Sequence, residues 1–209
     1  MKREQDPSSP EPGQPVPDHT QRIVRALGRV LAAKQTYLAD HAAAVARRVL
    51  ALDDTLGLFR GERAWLAIAG RVHDIGLVAI SDLVVLKPDT LSDQERHLIT
   101  AHPVAGYHIL GELAIPELVC EAVLYHHERL DGSGYPQGLI GPEIPLASRL
   151  VAVADVFEAM VAERPWRKAL PVSEALAELT AMAGSRIEPR MVEALVDRVR
   201  EDQSKKRQT

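Results

Sequence analysis

Trp65-Leu66-Ala67-Ile68-Ala69-Gly70-Arg71-Val72-His73-Asp74-Ile75-Gly76 reads as an apolar helix that ends by presenting a histidine and a carboxylate side by side. The helix starts near Glu62 and runs out at the His73-Asp74-Ile75-Gly76 corner. One His-Asp pair gives a metal only two donors. Farther along the chain lie His102, the neighbours His126 and His127, and Asp155. Imidazole and carboxylate together suit iron, manganese, nickel or zinc. A fold that carried these distant residues onto His73-Asp74 would fill the shells of two cations, so helices have to fold back around this corner.

Outward from the corner the pattern stays helical. Before it, Ile23, Leu27, Val30 and Leu31, then Leu38, His41, Val45, Val49 and Leu50, recur at helical spacing. Residues 1–19 carry Pro10, Pro12, Pro15 and Pro17 among polar residues, which predicts a disordered tail. After the corner, Ile80 to Leu91 reads as an irregular connection with a Lys87-Pro88-Asp89 turn. Ser92 and Glu95 form a capping box, and Pro103 and Pro116 each open a helix. Arg129 to Pro145 is glycine- and proline-rich loop, and an apolar helix runs from Leu146 to about Val161. Helices near 172–183 and 188–201 complete a domain of residues 20–202, with 203–209 as a frayed end. Few segments read as strand, so the fold class is all-α.

A chain of 209 residues suits one domain with tails. With 25 basic against 29 acidic residues and a net charge of −4, it lacks the basic excess of a protein that binds a nucleic-acid polymer. Its one cysteine, Cys120, excludes an internal disulfide and a multi-cysteine zinc site, and sits in an apolar run as a small core residue. No apolar run reaches membrane-spanning length and the start does not resemble a signal peptide. These features predict a cytoplasmic protein with no membrane partner.

Asp155 is the residue hardest to explain as ordinary structure. It interrupts Leu150-Val151-Ala152-Val153-Ala154, where an unpaired carboxylate would cost several kcal/mol and so needs a cation or a dense set of donors; a buried arginine pair is the alternative. His126 and His127, about 100° apart on a helix, would straddle two metals with one on each. The loop behind them offers Arg129 for phosphate, Asp131 as an acid, Gly132 for close backbone approach and Tyr135 to stack a base. His41 lies on an alanine-rich face and reads equally well as a core histidine, and His102 as a cap beside Pro103. Arg164 and Arg167, three apart, would share one helical side and suit a phosphodiester. His19, His97 and His108 fit no pattern.

His73-Asp74-Ile75-Gly76 followed by His126-His127-Glu128-Arg129-Leu130-Asp131-Gly132-Ser133-Gly134-Tyr135-Pro136 resembles the HD-GYP family of HD-domain phosphohydrolases. The resemblance spans roughly residues 35–195 and includes Lys87-Pro88, His102-Pro103, Ile144-Pro145-Leu146, Ala154-Asp155 and Arg164-Pro165-Trp166-Arg167. It implies an HD-domain helical bundle with extra C-terminal helices. It further implies a bacterial phosphodiesterase that opens cyclic di-GMP to pGpG and on to GMP. The implied cofactors are two divalent or mixed-valence metals, iron or manganese. The implied ligands are His41, His73, Asp74, His102, His126, His127 and Asp155, with Asp74 bridging. Tyr135, Arg164 and Arg167 fall where the family holds base and phosphates. Two departures stand out: Leu77 replaces the lysine usual after His-Asp-x-Gly, and Tyr37 stands where some members place a third-metal glutamate. Leu77 raises a rival reading, a scaffold that binds cyclic di-GMP or partners such as diguanylate cyclases. The short polar stretch before residue 20 is expected to hold no receiver or other sensory domain.

Overall fold

A computed structural model describes residues 14–164 and 167–207. Among the described residues the regular elements are ten α-helices and two short 3-10 turns, and strand-type pairing is limited to three isolated bridges. Helices α1 (Asp18–Lys34), α2 (Thr36–Leu56) and α3 (Arg63–Val72) pack together first. α2 stops at Gly57, whose left-handed φ of 63° a side chain would disfavour. α2 and α3 cross at near backbone contact: a Cβ on Gly70 would lie 2.7 Å from the Ala46 Cα.

The corner after α3 is a 3-10 turn, Ile75–Ala79, followed by the short α4 (Asp82–Val85) and then α5 (Asp93–Ile99). Ser92 and Glu95 form the expected reciprocal cap of α5, and Lys87 clamps the same Glu95 at 2.7 Å. Lys34 ties this region to α1 through the Ile80 carbonyl and Asp82. Helices α6 (His102–Gly111) and α7 (Glu117–Tyr125) begin at the places marked by Pro103 and Pro116.

α8 (Leu146–Val161) is buried almost all round, with Leu150, Val151, Val153 and Ala154 fully inside. From among these buried residues it presents Asp155 to the interior. α9 (Val172–Met182) and α10 (Pro189–Arg207) close the fold. Cys120 is buried, as its apolar neighbours implied. No described helix is long and apolar enough to cross a membrane.

Three expectations are corrected. The chain joins the fold before residue 20: α1 starts at Asp18, Val16 is in the core, and its carbonyl accepts the Gln21 side-chain amide at 3.0 Å. Residues 1–13 lie outside the described residues. At the other end, α10 continues through Arg207 rather than fraying from 203. Arg164 and Arg167 do not share a helical side, because α8 ends at Val161. They face each other across a tight turn, exchanging backbone hydrogen bonds of 2.9 and 3.0 Å; Pro165 and Trp166 between them lie outside the described residues.

Candidate metal centre

All seven candidate ligands converge, and they do so as two groups: His41, His73 and Asp155, and Asp74, His102, His126 and His127. α2 supplies His41, the end of α3 His73 and Asp74, the start of α6 His102, the end of α7 both His126 and His127, and α8 Asp155. His126 and His127 therefore do not straddle the two groups. Both belong to one, with ring centroids 4.1 Å apart.

Asp74 joins the groups through its two oxygens. Oδ2 lies 3.4 Å from His73 Nε2, while Oδ1 lies 3.2 Å from His102 Nε2 and 3.7 Å from His126 Nε2. Asp155 Oδ1 lies 2.9 Å from His41 Nε2 and 3.7 Å from His73 Nε2.

The backbone orients three of the imidazoles in one way. His73, His102 and His126 each place Nδ1 on the carbonyl three residues earlier, Gly70, Ile99 and Val123, at 2.9, 2.7 and 2.8 Å. A carbonyl only accepts, so each Nδ1 carries the proton, and the Nε2 lone pair is free to ligate. His102 Nε2 and His126 Nε2 then face each other at 3.4 Å with Asp74 Oδ1 beside both. Three acceptors meet there with no donor between them. His73 Nε2 is fully buried and lacks a hydrogen-bond partner. Buried acceptors left in this way are costly, and a cation in each group would satisfy them. The donor set fits metal.

Electrostatics agree. Burial pushes the Asp74 carboxyl upward, but His73, His102 and His126 outweigh it and hold the group well below the usual carboxylate range. Asp155 behaves likewise: burial opposes ionisation, and the His41 hydrogen bond together with the nearby His73 imidazole prevails. Burial lowers His126 and, reinforced by His126 and His102, lowers His127 strongly, which keeps both neutral as ligands must be. His73 goes the other way. Burial disfavours its charge, yet Asp74 and Asp155 raise it well above normal, so the two carboxylates draw positive charge, proton or metal, to this point.

A cavity of about 450 Å³ opens over the ligands, walled by Leu38, Leu77, Val85, Ile99 and Met160. Tyr37, Tyr135 and Arg164 also line it. The Tyr135 ring stacks on His127, centroids 4.7 Å apart at 26°. The other loop residues face elsewhere. Arg129 donates to the His126 and Glu128 carbonyls, Asp131 accepts from Ser133, and Gly132, at φ 77°, turns the loop beside Ile140. Arg167 donates to the Ala159 and Met160 carbonyls at the end of α8.

Sequence reasoning passed over Glu128. Its buried carboxylate accepts the backbone N–H groups of Gln137, Gly138 and Leu139 at 2.7, 3.1 and 3.1 Å, pinning the loop behind Tyr135. A Cβ on Gly134 would collide with the backbone of Glu128 and Arg129, so the loop crosses its own start at a distance only glycine allows. An acid directly after two ligand histidines was the available signal for Glu128. The carbonyls of Gly70, Ile99 and Val123 have no sequence signal at all.

A helical bundle whose two His/Asp groups meet at one aspartate is an arrangement that could hold two metal ions. Residues 25–191 match the HD-domain family, and the chain belongs to that family, in its HD-GYP branch. It is 43% identical over 145 residues to the cyclic di-GMP phosphodiesterase response regulator RpfG of Xanthomonas campestris pv. campestris, covering 68% of this chain and 38% of that protein. It is 36% identical over 173 residues to the 3'3'-cGAMP-specific phosphodiesterase 3 of Vibrio cholerae serotype O1, covering 83% and 38%. The chain thus spans well under half the length of either relative. Among solved structures, Bd1817, an HDG"Y"P protein from Bdellovibrio bacteriovorus, shares the fold with a TM-score of 0.66 at 21% identity, covering 78% of this chain and 52% of that one.

Proposed function

We propose that this protein is a two-metal phosphodiesterase that hydrolyses cyclic di-GMP, to pGpG or onward to GMP, using iron or manganese. The observation that carries the reading is Asp74, with one oxygen toward each ligand group. His41, His73 and Asp155 would hold one metal and His102, His126 and His127 the other, with Asp74 on both. When bound, such a pair lowers the pKa of a coordinated water and polarises phosphoryl oxygens. The chain's own contribution is preorganisation. Backbone carbonyls lock the tautomers, carboxylates stay ionised, and the apolar wall of Leu38, Leu77, Val85 and Met160 thins the water around the phosphate, which strengthens every fixed charge. Arg164 is placed to meet a phosphate, and Tyr135, held against His127, to meet a base. Arg129, Asp131 and Gly132 support the substrate by shaping the loop, and Arg167 by holding the turn that carries Arg164.

The relatives' printed activities, on cyclic di-GMP and 3'3'-cGAMP, support a cyclic dinucleotide substrate. The complete, oriented ligand set favours hydrolysis over a scaffold that merely binds the nucleotide or a diguanylate cyclase. The test is metal analysis of protein purified without oxygen, followed by turnover of cyclic di-GMP by wild type and Asp74→Ala. About two metals per chain are expected, and the variant loses metal and turnover together. Wild type that holds both metals but turns over nothing, with Leu77→Lys equally inert, would move the protein to the scaffold class.

A further inference from the structure

We propose that this protein carries a second ligand site, between α1, α2 and α3, that takes a single-chain acyl anion: an unbranched aliphatic chain ending in a carboxylate. A cavity of about 650 Å³ lies there, larger than the one over the metal ligands and within the range of small-molecule pockets, about 300–1,000 Å³. α2 separates the two. Leu38 and His41 face the metal-site cavity, whereas Ala39 and Ala43 line the second one from the far side of the helix. α1 forms the long wall with one stripe from Gln21 to Ala32, about 16 Å at 1.5 Å per residue. The site stands apart from the metal centre, so its failure would leave the hydrolase reading untouched.

The lining fixes the chemistry of the ligand. Three cations meet there from two helices, Arg25 and Arg29 from α1 and Arg71 from the last turn of α3. All three are exposed, and none has an ion-pair or hydrogen-bond partner among the described residues. Arg25 and Arg29 are four apart on one helix face, where like charges repel, so an anion at this rim relieves α1 as it binds. The chain carries a net charge of −4, so the cluster runs against the general balance. Apart from Gln21, the remaining lining is aliphatic or glycine, with six alanines, and Gln21 already donates to the Val16 carbonyl. No aromatic face offers to stack a base, so the wall suits an alkyl chain rather than a nucleotide. Gly28 marks the middle of the stripe. Glycine inside a helix is destabilising relative to alanine, yet a Cβ there would meet nothing within 4 Å. The described fold gives no packing reason for it; a chain lying close against the α1 backbone does. Arginine suits the rim, because its stem covers apolar wall while the guanidinium stays wet and forks onto a carboxylate.

Titration calorimetry on the full chain, with decanoate as the probe, tests the assignment. Decanoate should bind at a single site per chain. A hydrogen bond between charged groups corresponds to about tenfold in affinity, so 1-decanol, which has the same chain and no charge, should bind about tenfold more weakly. Arg25→Gln combined with Arg29→Gln should weaken decanoate by a similar factor. Gly28→Leu keeps the helix and fills the groove, and should abolish binding with no drop in melting temperature; should leucine disturb the fold, the arginine variant decides alone. Equal affinity for decanoate and 1-decanol, or decanoate binding unchanged in the arginine variant, would overturn the proposal. GMP binding that the arginine variant weakens, with no binding of decanoate, would overturn it in favour of a phosphate site. Binding to vesicles of anionic phospholipid with no binding of free decanoate would overturn it in favour of a membrane-facing patch.

Discussion

Gly76 is where the fold and the metal centre depend on one another most directly, and Gly76→Ala is the sharpest test of that dependence. A Cβ there would lie 2.5 Å from the Gly106 nitrogen and closer still to the His102 carbonyl oxygen, where real Cβ contacts start near 3.0 Å. Both obstacles are backbone, so no side chain can swing aside. The 3-10 turn and α6 must part by more than about 0.5 Å, the tolerance to which a ligand constellation has to be held. Asp74 stands two residues before the glycine and His102 is the obstacle itself, and the two are 3.2 Å apart in the second ligand group. Overpacking of this kind costs about 3 kcal/mol, at the upper end of the usual range, or roughly 6–12 °C in melting temperature for a domain of this size. The metal of the Asp74-His102-His126-His127 group should be lost before the one at His41-His73-Asp155. Differential scanning calorimetry and metal quantification on the same preparation read both effects. Gly28→Ala is the control: nothing lies within 4 Å of its Cβ position in α1, so alanine there should stabilise by about 0.5–1 kcal/mol. Gly76→Ala with wild-type melting and full metal would refute the reasoning.

Glu128→Gln keeps one acceptor oxygen but sets an amide group against one of the backbone N–H groups now bound by Oε1 and Oε2. A lost hydrogen bond to a charged group predicts about 2 kcal/mol and a melting temperature lower by roughly 4–8 °C; an unchanged melt would mean that the loop is held otherwise. Glu95 tests the electrostatics of the α4–α5 region. Lys87 and the Ser92 cap hold its carboxyl down at about 2 from an ordinary 4.5, so its contribution is complete above pH 4.5 and is lost as pH falls toward 2. A Glu95 side-chain NMR titration should show the depressed midpoint, and an ordinary one would remove the Lys87 clamp from the account.

Local physics made much of the fold legible in the chain. Apolar patterning located α2, α3 and α8, the last from Leu146 to about Val161; the Ser92–Glu95 box marked α5, and prolines marked the starts of α6 and α7. Each of those signals concerns neighbours three or four residues apart, which is the distance over which helical hydrogen bonds and caps act. The candidate ligands were legible for a related reason: a carboxylate in an apolar helix and histidines at helix ends are chemically out of place wherever the chain goes. The partition of those ligands was not. His126 and His127 read as reaching two metals, yet their Nε2 and ring positions depend on where α7 stops and on the Val123 carbonyl that turns His126, and both fall in one group. Arg164 and Arg167 read as a helical pair until α8 ended three residues earlier. His41 and Asp155 stand 2.9 Å apart across 114 residues of sequence. Such a pairing is set by how α2 and α8 pack, and packing is a sum over the whole interior that no single stretch of the chain encodes.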